Sequence, residues 1–283
     1  MDYTNIKQRD SDLVLVSIKN FVPSQILDCG QCFRWNAIHS VGDESVSYSG
    51  IAYGRRLELT LKGNELILKN VTLEDFESVW RDYFDFSRDY SKLRQHYAID
   101  DTLNKAMAFS PGLRLMRQQP WEALVTFILS QNSNIPRIKG MTARLCEHFG
   151  KPLPCGGFTF PTSEVLASLS TDNLAPVRSG YRDSYIIDAA KRVAGGWLNF
   201  EELQNMPSDI VRKALMEVRG VGPKVAECVL LYGFGRVECY PLDVWMKRVM
   251  ASYYPNGFVK ELKDTAGIAQ QFLFHYIRTN KLN

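Results

Sequence analysis

The sequence lacks several features that define common protein classes. No apolar run approaches the roughly 18 residues of a membrane span, and the first ten residues, MDYTNIKQRD, contain no basic and apolar segments of a secretory signal. An excess of one charge is also lacking, since 34 Lys and Arg stand against 31 Asp and Glu in 283 residues. We therefore expect a cytoplasmic protein with no membrane partner, on which any nucleic-acid surface is a local basic patch.

Cysteine is scarce, and its spacing argues against the common metal sites. The six cysteines are spread along the chain, and one pair, Cys29 and Cys32, forms a CxxC motif. A zinc site needs a second such pair, which is absent, and no thioredoxin-like strand-helix pattern surrounds this one. We predict two packed thiols, no metal and no cofactor. A redox pair remains the alternative.

The first third of the chain is predicted to be β-rich. Lys62-Gly63-Asn64 is a hairpin turn, and a helix from Thr72 to about Tyr83 is expected to cover the sheet. From about Asp101 the pattern turns helical. These patterns predict an α+β fold, with an antiparallel twisted β domain at 1–105 and a mostly helical region at 106–283. The predicted strands are short apolar runs: Leu13–Ile18, Cys32–Ala37, Val46–Tyr53, Arg56–Leu61 and Glu65–Lys69.

The stretch from Ser208 to Met250 contains the clearest motif. Ser208 is a good N-cap for a helix from about Asp209 to Val218, and Gly220-Val221-Gly222 interrupts it. Pro223 favours the start of a second helix, which Gly233 closes in a left-handed conformation. The pattern predicts a helix-hairpin-helix at 209–233. Glycines before a helix N-terminus expose backbone N–H groups to a DNA phosphate, so Gly220 and Gly222 are candidate DNA-binding residues.

Two residues beside this hairpin suggest chemistry. Lys224 lies in the first turn of the second helix, where a neutral amine is a candidate nucleophile. Asp243 follows Pro241 and is placed to cap the next helix or to face the lysine. Cys228, four residues after Lys224, shares its helical face. Lys224 and Asp243 also have structural interpretations, as a solvated lysine and as an N-cap.

Polar residues also interrupt apolar segments elsewhere. The apolar helix Trp121–Ser130 ends in a polar tip that contains Asn132, and the next helix includes Arg137. Tyr181 and Arg182 place an aromatic ring beside a cation. The polar tip is either a plain loop or a segment that inserts into a duplex. Tyr181 is either packed on the core at a helix start or inserted into a base stack, where Arg182 would contact a base or a phosphate.

A glycine and an amide-aromatic pair suggest contact with a base. Gly30 precedes an aromatic run and is either a bulge or a point of close approach to a ligand. Gln270 and Phe274 share a face of the C-terminal helix. Core packing explains them, and so does hydrogen bonding to a base edge with stacking on its plane.

These motifs together resemble one family. VGPKVAEC and PLDVWMKR are similar to the lysine-bearing signature of the helix-hairpin-helix (HhH-GPD) superfamily of base-excision DNA glycosylases. The run from Gly30 to Trp35 and the segment SQNSNIPRIKGMTARLCEHFG resemble its 8-oxoguanine DNA glycosylase/AP lyases. The chain is identified as a member of that family, of a compact prokaryotic type, and the resemblance extends from Gly30 to Phe274.

The resemblance implies a DNA repair enzyme that flips 8-oxoguanine out of duplex DNA. Lys224 would displace the base through a Schiff base, Asp243 would stabilise the positive sugar, and β-elimination would nick the strand. The partner would be double-stranded DNA containing 8-oxoguanine, bound by a monomer near the nucleoid. The resemblance assigns the lesion to Gly30, Cys228, Gln270 and Phe274, and the rest of the DNA to Asn132, Arg137, Tyr181, Arg182, Gly220, Gly222 and Trp245.

The chain departs from the family at several positions. Val218-Arg219-Gly220 replaces a leucine-proline-glycine entry to the hairpin, Ser133 interrupts an asparagine triplet, and Trp245 replaces a phosphate-binding histidine. The C-terminus lacks the four cysteines that hold an iron-sulfur centre in some relatives. A glycosylase for another lesion and a non-catalytic DNA-binding module remain alternatives.

Overall fold

The computed structural model describes residues 1–38 and 47–280. Within this part of the chain, six strands form one antiparallel sheet in the order β1-β2-β6-β5-β4-β3. The start of the predicted strand Val46–Tyr53 lies outside the described residues. The strands are β1 (Asn5–Arg9), β2 (Asp12–Val16), β3 (Trp35–Ile38), β4 (Ser47–Ala52), β5 (Arg55–Lys62) and β6 (Glu65–Lys69).

The rest of the described chain is mainly helical, which confirms the predicted α+β class. The α-helices are α1 (Pro23–Leu27), α2 (Leu73–Asp75), α3 (Arg81–Tyr83), α4 (Tyr90–Tyr97), α5 (Asp101–Phe109), α6 (Pro120–Leu129), α7 (Ile135–Phe149), α8 (Ser163–Ala167), α9 (Asp183–Ala194), α10 (Phe200–Gln204), α11 (Ser208–Met216), α12 (Pro223–Tyr232), α13 (Val244–Tyr253) and α14 (Ala266–Asn280). None of them is long and apolar enough to cross a membrane. A π-helix covers Phe76–Trp80, and 3₁₀ turns cover Asp172–Val177, Gly180–Arg182 and Lys260–Thr265.

The chain forms two compact units, whose bounds differ from the predicted division at residue 105. The second unit comprises Ile51–Arg56 and Gln118–Pro241. The C-terminal residues belong to the first unit because α14 packs against α5 and α13. The first unit therefore comprises Met1–Gly50, Leu57–Arg117 and Leu242–Asn283.

The sheet of the first unit follows the predicted hairpin closely. In β5 and β6, Leu59 pairs with Leu68 and Lys62 with Glu65, so Gly63-Asn64 is the turn, within the predicted Lys62-Gly63-Asn64. The edge strand β1 is not predicted from the sequence because four of the five residues in NIKQR are exposed. A strand without a buried face has no apolar alternation to reveal it.

The helix predicted from Thr72 to Tyr83 has the predicted start but a different interior. Thr72 caps it, and the Asp75 side chain completes a capping box. The middle turn, Phe76–Trp80, is a π-helix rather than an α-helix. Phe76 and Trp80 are both buried in this turn, so the helix still covers the core as expected.

The second unit contains the helix-hairpin-helix, with two local corrections. Ser208 is not the N-cap of α11, because Pro207 occupies that position and the Ser208 hydroxyl donates to Glu238. Gly233 is not left-handed, since its φ is −91°. A Cβ atom on Gly233 would lie 2.7 Å from the Val229 carbonyl oxygen of the same helix, 3.0 Å from Pro120 Cα and 3.2 Å from Ala123 Cβ. The glycine is therefore explained both by the last turn of α12 and by the close approach of α12 to α6.

Candidate functional site

The hairpin between α11 and α12 uses its two glycines differently. Gly220 has a φ of +80°, and a Cβ atom there would overlap the ring of Tyr185. Gly222 is the N-cap of α12 with a φ of −97°, and a Cβ atom there would meet nothing within 4 Å. Gly220 is therefore required by the fold. Gly222 leaves open space at a helix N-terminus, where unpaired N–H groups favour an anion.

Lys224 lies half-buried in the first turn of α12, beside residues of α6. Its Nζ lies 3.5 Å from Ser130 Oγ and 5.2 Å from the centre of the Phe127 ring. Ser130 donates its own hydroxyl proton to the carbonyl oxygen of Phe127 at 2.8 Å. A lone pair of Ser130 Oγ is therefore available to Lys224. Both ends of this contact are fixed by helices, which orients the amine.

The polar tip after α6 contains one residue in a left-handed conformation and one helix cap. Asn132 is exposed with a φ of +47°, and Asn134 caps α7 by accepting the backbone N–H of Arg137. The Arg137 side chain is exposed. Asn132 and Arg137 are therefore both exposed, and their contact with DNA stays a prediction.

Arg182 is placed differently from the sequence prediction of a DNA contact. Its side chain is only 2% exposed. The guanidinium donates to the carbonyl oxygens of Gln131, Asn132 and Ser179. Because these bonds occupy its donors, Arg182 holds the polar tip in place instead of facing solvent. In the sequence, an arginine that follows an aromatic residue is compatible with either role, contact with DNA or support of the polar tip.

An aromatic cluster connects Tyr181 to the hairpin. Tyr181 is 53% exposed, and its ring packs edge-on against Tyr185 with 5.7 Å between centroids. Tyr185 in turn fills the space beside Gly220, and the Arg219 guanidinium carbon lies 5.7 Å from its ring centre. The predicted wedge and hairpin are therefore parts of one packed surface. Tyr185 was not predicted as a site residue, although it lies four positions after Tyr181.

Asp243 belongs to the first unit and caps α13. Its carboxylate accepts the backbone N–H of Met246 at 2.8 Å, as predicted for an N-cap. Trp245 is partly exposed, and the guanidinium carbon of Arg248 lies 5.2 Å from its ring centre. Trp245 itself has no titratable charge. Arg248 supplies a cation beside it.

The loop that contains Gly30 is firmly held within the first unit. Gly30 has a φ of +93°, a conformation that favours glycine. The buried Gln31 amide donates to Ile26 and Arg114 carbonyls and accepts the N–H of Met116. Because this loop continues past Cys32, β3 starts at Trp35 instead of the predicted Cys32. The backbone of Gly30 is thus fixed by its neighbours.

The C-terminal helix α14 presents the predicted amide-aromatic pair. Gln270 is 4% exposed, and its Oε1 is buried without a hydrogen-bond partner among the described residues. Phe274 is partly buried one turn further on. A buried amide oxygen without a partner is costly in a folded protein, which favours a role in binding a ligand donor. Cys228, on α12 of the second unit, is 2% exposed.

The CxxC cysteines are both buried and not disulfide-bonded. Cys29 donates to the Ile26 carbonyl, and burial raises the pKa of its thiol to about 11. A protonated, buried thiol is a poor redox centre. Within residues 1–38 and 47–280, no group of three or more His, Cys, Asp or Glu residues is arranged to hold a metal ion.

Two family models match adjacent parts of the chain. The model "8-oxoguanine DNA glycosylase, N-terminal domain" matches residues 13–124. The model "HhH-GPD superfamily base excision DNA repair protein" matches residues 125–271. Together the two matches cover all of the predicted site residues except Phe274, which lies three positions beyond the second match.

Individual proteins show the same similarity. An N-glycosylase/DNA lyase of Saccharomyces cerevisiae is 37% identical over 185 residues, which are 56% of this chain and 48% of that protein. The chain thus spans about half the length of the yeast protein. A structure of MBOgg1 with a low-affinity DNA ligand is 38% identical with a TM-score of 0.91, over 99% of this chain and 100% of that one. The Clostridium acetobutylicum 8-oxoguanine glycosylase/lyase, bound to duplex DNA with cytosine opposite 8-oxoG, is 32% identical with a TM-score of 0.90, over 100% of both chains.

Proposed function

Because the chain belongs to the HhH-GPD superfamily of base excision DNA repair proteins, we propose that it excises 8-oxoguanine from duplex DNA and then nicks the abasic strand. The observation that carries this proposal is Lys224. It lies in the first turn after the glycine hairpin, with its amine beside Ser130 Oγ at 3.5 Å. A hairpin that binds only phosphates does not require a partly buried amine in this orientation.

The reaction begins with extrusion of the damaged nucleotide, at a cost of a few kcal/mol for unstacking. The neutral amine of Lys224 attacks the anomeric carbon, and the bond to the base breaks as the new C–N bond forms. The Asp243 carboxylate stabilises the positive charge that develops on the sugar. The ring then opens to a Schiff base, and loss of a proton from the adjacent carbon eliminates the 3′ phosphate.

Recognition of the lesion uses residues whose donors and acceptors match the oxidised base. The Gly30 carbonyl accepts the N–H that guanine gains on oxidation. The unpartnered Gln270 amide oxygen accepts from the pairing edge of the base. Phe274 and Cys228 contact its two faces. A fixed Gly30 backbone is what allows one hydrogen bond to distinguish the oxidised base from guanine.

Four of the remaining predicted residues contact the duplex. The open face of Gly222 and the N–H groups after it receive a phosphate. Tyr181 inserts into the stack, and Asn132 and Arg137 contact the opposite base. Arg182 acts through the polar tip, because its guanidinium is buried against Gln131. The protein acts as a monomer, in the cytoplasm of the cell.

A duplex assay tests the proposal. A 5′-labelled duplex with a single 8-oxoguanine is incubated with the protein, and base release and strand nicking are measured. Wild-type protein is expected to perform both reactions, and Lys224→Gln neither. Lys151→Gln, an exposed lysine of the same unit, is the matched control and should remain active. Normal base release by Lys224→Gln would overturn the mechanism, and release of other damaged bases alone would favour the alternative substrate.

A further inference from the structure

Arg278 extends the row formed by Gln270 and Phe274 on α14. The three residues are spaced by four positions, so they lie on neighbouring turns of one helical face. The Arg278 guanidinium carbon lies 5.5 Å from the centre of the Phe274 ring. This geometry is a cation–π contact on the ring that is proposed to stack on the lesion.

The same guanidinium also contacts the loop that contains Gly30. Arg278 Nη2 donates to the carbonyl oxygen of Asp28 at 3.1 Å. The neighbouring Gln271 donates through Nε2 to Cys29 Sγ at 3.1 Å. Helix α14 therefore holds the two residues that precede Gly30, and one of the two contacts uses a charged donor.

We propose that Arg278 is a positioning residue for lesion recognition, which joins the Gly30 loop to the Phe274 ring so that both engage one base together. The inference rests on the proposed function. A charged hydrogen bond fixes the backbone two residues before the Gly30 carbonyl, while the planar guanidinium limits rotation of Phe274. Arg278 itself does not need to touch the base.

The two activities of the enzyme allow a direct test. Excision of 8-oxoguanine needs a base in its pocket, whereas nicking of a preformed abasic site needs only the DNA contacts and the amine. Arg278→Met is expected to lower the single-turnover rate of base release about tenfold, the effect of losing one charged hydrogen bond. Its rate on abasic duplex should stay within about twofold of wild type.

Two variants control for the fold and for the charge. Arg9→Met removes an exposed arginine of the same unit that forms a surface ion pair with Glu65, and it should leave both rates unchanged. Arg278→Lys keeps the charge without the planar fork, so it should recover base release only in part. It also serves as the test if Arg278→Met does not fold, which a thermal unfolding curve will show.

The outcomes separate this inference from the proposed function. If wild-type protein releases no 8-oxoguanine, the proposed function fails. If wild type is active but Arg278→Met loses both activities in parallel, or loses neither, the positioning role of Arg278 is overturned. Selective loss of base release, with nicking of abasic DNA retained and partial recovery in Arg278→Lys, supports it.

Discussion

The two glycines of the hairpin provide a sharp prediction, because alanine should lower stability at one position and leave it unchanged at the other, two residues away. Gly220 has a φ of +80°, where an L-residue costs about 1–2 kcal/mol. The new Cβ would also overlap the Tyr185 ring, and overpacking of this kind typically costs a further 1–3 kcal/mol or so. We therefore expect Gly220→Ala to lower the free energy of unfolding by about 2–5 kcal/mol.

Gly222→Ala is the matched variant. Its φ of −97° suits any residue, and a Cβ atom would meet nothing within 4 Å. Stability should therefore change by less than about 0.5 kcal/mol. The added methyl group would project into the open space assigned to a DNA phosphate. We expect weaker DNA binding by a protein that folds normally.

Urea unfolding and fluorescence anisotropy with an abasic-analogue duplex would measure the two effects. Gly220→Ala should lose stability, and it should bind DNA weakly because displacement of Tyr185 also moves its neighbour Tyr181. Gly222→Ala should lose affinity alone. Equal stability of the two variants would refute the packing explanation of Gly220. Unchanged affinity of Gly222→Ala would refute the phosphate site.

Three further variants or treatments test other parts of the site. Asp243→Asn should keep the cap on α13 and the protein's stability, since asparagine caps as well as aspartate, but it should lose base release. Asp243→Ala should lose base release and also about 1 kcal/mol of stability. An active Asp243→Asn would contradict the electrostatic role. Gln270→Leu removes a buried oxygen that has no hydrogen-bond partner among the described residues, so stability measured by urea unfolding should be unchanged or higher. Excision should fall. Full activity would contradict the role of Gln270 in binding the base. Burial raises the pKa of Cys29 from 9.0 to about 11, so iodoacetamide should label Cys155 much faster than Cys29 in the native protein. The unfolded chain releases the Cys29 proton first, so stability should fall as pH rises from 9.0 toward about 11, and rapid labelling of Cys29 would favour the redox alternative.

The elements predicted correctly are those whose local sequence agrees with their packing. Strand β6 has the predicted bounds because the preceding glycine turn fixes its start and Leu66 and Leu68 share a buried face. Helices α6 and α12 begin at Pro120 and Pro223, where proline suits the first turn. Asp243 caps α13 for the reason that its sequence position indicated.

The features that could not be predicted depend on contacts distant in sequence. Arg182 follows an exposed tyrosine, and only the fold shows that the carbonyl oxygens around Gln131, some fifty residues away, bury its guanidinium. Gly233 reads as a helix terminator, but its small size is needed against Pro120 of another helix. Arg278 had a local signal, four positions after Phe274. Nothing in the local sequence indicated its hydrogen bond to the carbonyl oxygen of Asp28, 250 positions away.

Covalent trapping identifies the nucleophile directly. The protein is incubated with 8-oxoguanine duplex and sodium borohydride, which reduces a Schiff base to a stable amine, and the adduct is digested and mapped by mass spectrometry. We expect a DNA-peptide adduct with the modification on Lys224, and no adduct with Lys224→Gln. An adduct on a different residue, or base release by the wild-type protein with no adduct at all, would contradict the assignment of Lys224 as the nucleophile.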